Sequence, residues 1–122
     1  MSSDDGVIEA ITNARHNIAL AQGWAGNLDY KTFRDDVMRR YAIQYAFIVI
    51  GEALKDIPRP LLELHGPDIP WRKVVGFRDW LAHTYDDLPD PRIIGTLRED
   101  LPSLDRVLVR ILEHFETQKS RK

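Results

Sequence analysis

Four chemically capable side chains crowd into one stretch, GFRDWLAHTYDD, residues 76–87: Arg78, Asp79, His83 and Tyr85. A guanidinium meets the charge of a phosphate with parallel hydrogen bonds. A histidine exchanges a proton near neutral pH. Together they are a minimal set for cutting RNA without a metal. In that reaction the ribose 2′-hydroxyl attacks the neighbouring phosphate. A base removes its proton, an acid protonates the leaving 5′-oxygen, and a cation holds the developing charge. His83 suits either proton-transfer role, Arg78 suits the cation, and Asp79 stands where it can orient Arg78.

Spacing qualifies this reading. On a regular helix, five residues at about 100° each set Arg78 and His83 roughly 140° apart. Either the helix loosens before His83, or residues of two subunits combine. The plainer alternative also stands: Arg78 pairs on the surface with Asp79, Asp86 or Asp87, and His83 caps a helix end.

The elements that must position this stretch are helical. Val7, Ile11, Ala14, Ile18 and Ala21 recur every three or four residues and predict a first amphipathic helix, stopped by Gly23 and Gly26. A second helix is predicted from Asp29–Thr32 to the prolines Pro58 and Pro60. One stripe of it carries Phe33, Val37, Tyr41, Tyr45, Ile48 and Glu52; another carries Ala42, Ala46, Val49 and Ala53. A helix apolar on two faces lies at the centre of a fold or at an interface. Glu52 interrupts its stripe: if buried it needs a partner, for which Arg78 is the candidate, and the alternative is a half-exposed acid paired with Lys55. A short helix follows at 59–65, broken by Gly66 and Pro67. Pro70 then opens the motif helix, with Trp71 as its apolar anchor. Asp90-Pro91 starts a last helix, striped by Ile94, Leu97, Leu101, Leu104, Leu108, Ile111 and Phe115, with a kink at Pro102 and a frayed tail over 115–122. The fold class expected is all-α: one domain over 1–122, an up-and-down bundle of four main helices plus a short one.

Composition narrows the function classes. The chain has 122 residues, no cysteine and a net charge of −2. Thiolate chemistry is excluded, and a reducing, cytoplasmic setting is expected. The acidic N-terminus is no signal peptide, and AFIVI at 46–50 is too short to span a membrane. A net acidic chain makes only local contact with RNA; Arg72 and Lys73 share the motif helix and are the candidate RNA contacts. His16, His65 and His114 lack ligand spacing and read as surface residues. No metal-ligand cluster and no phosphate-binding glycine loop is present, so neither metal nor cofactor is expected.

Three segments in order resemble the HepT-like family of HEPN domains. YAIQYAFIVIGEALKDIP (41–58) resembles its long helix, DIPWRKVVGFRDWLAHTY (68–85) its R-x4-H segment, and DLPSL (100–104) its late LP element. The resemblance implies the toxin half of a toxin–antitoxin pair, an endoribonuclease that dimerises so that two motifs meet. It also implies that a minimal nucleotidyltransferase partner adds AMP to the tyrosine of the H-x-Y element, here Tyr85. Many members carry Asn after the motif arginine; this chain has Asp79, which weakens the local positive field. A different class therefore stays open: a non-catalytic module that docks on a nucleotidyltransferase and regulates it.

Overall fold

In a computed structural model, the described residues are 3–71, 74 and 91–120. They form α1 (Ser3–Ala25), α2 (Tyr30–Asp35), α3 (Val37–Lys55), α4 (Arg59–His65), α5 (Arg92–Gly95) and α6 (Leu101–Ser120). A π-helical turn, Thr96–Asp100, joins α5 to α6. No strand occurs among these residues, and the fold is an all-α bundle, as expected.

The chief packing is α1 against α3, with α6 closing over α1 and α4. Every residue of the predicted α1 stripe is buried: Val7, Ile11, Ala14, Ile18 and Ala21. Two alanines in that stripe, Ala14 and Ala21, are fully buried, and small side chains let packed helices approach closely. Gly26 ends α1 in a left-handed conformation (φ 52°), the geometry a glycine adopts without Cβ strain. An ion pair then ties α1 to α6, Arg15 Nε to Asp105 Oδ1 at 2.9 Å.

The expectations for the second helix need correction. The second helix is two helices. The chain bends at Asp36 (φ −87°, ψ 87°), whose carboxylate accepts from the Arg39 N–H and starts α3 afresh. The stripe Val37, Tyr41, Tyr45 and Glu52 on α3 faces solvent, although Phe33 of α2 is fully buried. The buried face instead carries Ile43, Ala46, Phe47, Ile50, Ala53 and Leu54, turned toward α1. Of the two alternatives for Glu52, the structure has the second: it is half exposed and 3.9 Å from Lys55.

The last helix differs in two ways. Pro102 has no N–H, and its ring crowds the carbonyl one turn back. The chain answers with a widened turn, in which the Leu101 N–H reaches the Thr96 carbonyl five residues earlier. The Ser103 hydroxyl donates to the Glu99 carbonyl at 3.1 Å. The extra residue shifts the stripe, so Ile93 is buried and Ile94 packs only half-buried against the core, while Leu97, Leu101, Leu104, Leu108, Ile111 and Phe115 keep their places. Phe115, where the tail was expected to begin, is core, and the helix continues to Ser120.

Candidate functional site

The motif residues Arg78, Asp79, His83 and Tyr85, and the flanking Arg72 and Lys73, lie outside the described residues. What the structure describes is the frame that delivers them: the chain up to Trp71, and its return at Pro91.

The entry side is locked by a glycine and a tryptophan. Gly66 caps α4, its N–H donating to the Leu62 carbonyl. Trp71 is 4% exposed, and its indole Nε1–H donates to the Gly66 carbonyl at 2.9 Å. A Cβ on Gly66 would stand 2.8 Å from Val107 Cγ2 and 2.9 Å from Trp71 Cζ2. Only a bare backbone lets α4, α6 and the indole meet there. Beyond it the Val74 N–H donates to the Pro70 carbonyl at 3.1 Å, so a helical turn starts at the proline, as predicted. The exit side is set by Pro91, whose carbonyl accepts from the Ile94 N–H, and by buried Ile93. The predicted cap residue Asp90 lies outside the described residues.

Sequence reasoning found Trp71 as an anchor but missed what it anchors to. Gly66 read only as a helix breaker; its close packing depends on Val107, forty-one positions later, which no local pattern reveals. It also read His65 and His114 as surface residues. Both are half-buried, with rings 5.6 Å apart, and His65 Nε2 is buried without a hydrogen-bond partner. The carbonyl of His65 accepts from Arg110 at 3.1 Å, a second tie between α4 and α6.

Charges on the frame are mostly engaged. The Asp29 carboxylate caps α2, accepting from the Thr32 N–H at 2.8 Å, and that bond holds it below the usual carboxylate range. Arg34 forms a two-armed bond to Asp35, which lowers the acid and raises the base. Arg98 donates to the Leu28 carbonyl at 2.9 Å and fastens the π-helical turn to the α1–α2 loop. Among the described residues, no three His, Cys, Asp or Glu side chains gather as a metal site would require. No described helix is long and apolar enough to cross a membrane.

Comparison with known proteins adds the family. A model described as ribonuclease HepT-like matches residues 14–111, a span that includes both sides of the frame and the motif between them. A protein of Thermococcus cleftensis named "Probable ribonuclease HepT" is 38% identical over 88 residues, 71% of this chain and 78% of that protein. A "Putative RNase" of Methanocaldococcus jannaschii is 30% identical over 90 residues, 74% of each chain. No solved structure matches the chain.

Proposed function

The chain belongs to the HepT-like family of HEPN domains, and from that premise we propose that it is an endoribonuclease that cuts RNA without a metal. The observation that carries this reading is the family match across 14–111, a span that contains Arg78 and His83 at R-x4-H spacing. His83 takes the proton of the 2′-hydroxyl or delivers one to the leaving oxygen. Arg78 holds the charge that builds on the phosphate, and Asp79 orients Arg78. Arg72 and Lys73 contact the RNA backbone at the same segment.

In this reading the protein is the toxin of a toxin–antitoxin pair, working as a homodimer in the cytoplasm. A minimal nucleotidyltransferase neutralises it by adding AMP to Tyr85. The added phosphate stands two residues from His83, where it can pair with Arg78 and exclude RNA.

The test is RNA cleavage by the purified chain in EDTA, beside His83→Ala. Loss of proton transfer typically costs roughly 10²- to 10⁴-fold in rate, so the variant should fall to background. An unmodified dimeric chain that never cuts RNA would sink the nuclease. The chain would then be a binding module for a nucleotidyltransferase, with Arg78 on the nucleotide phosphates. That second reading draws on Asp79 and on the net charge of −2. Mass spectrometry must first show Tyr85 free of AMP.

A further inference from the structure

The described arginines end on two kinds of partner. Arg15, Arg34 and Arg39 each meet a carboxylate, of Asp105, Asp35 and Asp36. Two exposed arginines of α6 do not. The Arg106 guanidinium donates to the Ser103 hydroxyl at 3.0 Å, and Arg110 donates to the His65 carbonyl at 3.1 Å. Both acceptors are neutral, so both charges stay uncompensated. Each bond anchors a guanidinium and leaves most of its five donors for a ligand.

Helix geometry aligns the pair. Four residues advance about 6 Å along the axis and turn about 40° past a full circle. Arg106 and Arg110 therefore project from one face of α6, spaced much as successive phosphates are along a single RNA strand. The pair also stands beside the motif. It borders the same cleft as Pro70 and Val74, where the chain enters the motif segment. Asp68, Glu99 and Asp100 border that cleft as well. Neither these acids nor Glu113, one turn beyond Arg110, forms an ion pair with the two arginines. Glu99 and Asp100 precede Arg106 by more than a turn, so they repel an anion from that end and leave it the arginine end.

We infer that Arg106 and Arg110 are a further RNA contact, gripping successive phosphates of the strand that the motif cuts. This rests on the nuclease of the proposed function and deepens it by giving the substrate's backbone a place outside the motif. The contact reads phosphate and not base, and so positions the strand without selecting its sequence. It is also the kind of contact a chain of net charge −2 allows: RNA is held only where cations are left without acids.

The test is binding of a fluorescent single-stranded RNA with 2′-O-methyl riboses, followed by anisotropy over a range of salt. Methylation removes the attacking hydroxyl, so the full chain is titrated without cutting the probe. Each phosphate contact on a single strand adds about 0.7 to the slope of log affinity against log salt. Arg106→Gln gives up only an exposed bond to Ser103 and should lower that slope by about 0.7. Adding Arg110→Gln should lower it by about 1.4 in all and weaken binding about tenfold, equally for two unrelated sequences. Arg106→Lys should keep the slope. Arg34→Gln, whose charge Asp35 already neutralises, should leave it unchanged. Circular dichroism verifies the fold, and Arg106→Gln alone decides where the double variant does not fold. A folded Arg106→Gln protein with the wild-type slope overturns the proposal. So does an equal loss in Arg34→Gln, which would report total charge, and so does a wild type that binds no RNA. Cleavage of unmethylated RNA is scored apart. A wild type that binds through the pair and never cuts removes the nuclease and leaves the contact; one that cuts, beside an Arg106→Gln protein of unchanged slope, removes the contact and leaves the nuclease.

Discussion

The two long faces of α3 have similar composition and opposite fates. The inner face, Ile43, Ala46, Phe47, Ile50 and Leu54, is 5% exposed or less. The outer face, Met38, Tyr41 and Tyr45, is more than half exposed. Both are apolar, and both repeat with helical period. The difference lies in what stands opposite: α1 covers the inner face, and the described part of this chain leaves the outer one to solvent. Hydrophobic periodicity says that a face wants cover. It does not say whether the cover belongs to the same chain.

Substitutions at the two faces should therefore separate. Ile43→Ala removes a fully buried side chain and should cost ~2–5 kcal/mol of unfolding free energy, read from urea titration. Tyr41→Ala, on the exposed face, should change it by no more than about 0.5 kcal/mol. If Tyr41→Ala destabilised the protein as Ile43→Ala does, the contrast between the faces would be lost.

A second contrast, at the entry to the motif, predicts an intermediate effect. Gly66→Ala forces a methyl group against Val107 and Trp71 and should cost ~1–3 kcal/mol. Adding Val107→Ala should return part of it, because the nearest clash is with that side chain. Equal losses in the single and double variants would show that the backbone, and not the contact, sets the need for glycine. By comparison the α1–α6 tie is weak. Arg15 and Asp105 are 40% and 31% exposed, so Asp105→Asn should cost less than about 1 kcal/mol and less still in high salt.

The smallest expected effect is a pH dependence. The Thr32 N–H holds the Asp29 carboxyl below its ordinary value of 3.8. A carboxyl lowered on folding adds stability above its unfolded pKa, and that stability fades as pH falls through the folded value. The start of α2 should loosen only in strong acid, visible as faster amide exchange at Thr32. Asp29→Asn, which keeps a cap but not the charge, should remove that dependence.

Much of the fold was legible in local pattern. The α1 stripe, the α4 limits, the stop at Gly26 and the anchoring of Trp71 follow from period, glycine and proline, which act over a turn or two of chain. The motif itself was legible as residue types in an order that resembles a family, since chemistry of this kind depends on which side chains are present. The matched span 14–111 agrees with that resemblance. Other features were not legible. Pro102 announced a disturbance, but a kink and a π-helical turn differ only in how the backbone bonds are re-made, and that choice buried Ile93 more deeply than Ile94.

The sequence by itself determined that the described chain is helical, where most of its helices stop, and which side chains to propose for RNA cleavage, because propensity and side-chain chemistry are local. Only the tertiary structure decided which apolar stripe of α3 is core, why position 66 must be glycine, and that His65 meets His114. Each of these depends on an atom brought in from far along the chain, and packing, unlike helix formation, is a property of the neighbour as much as of the residue.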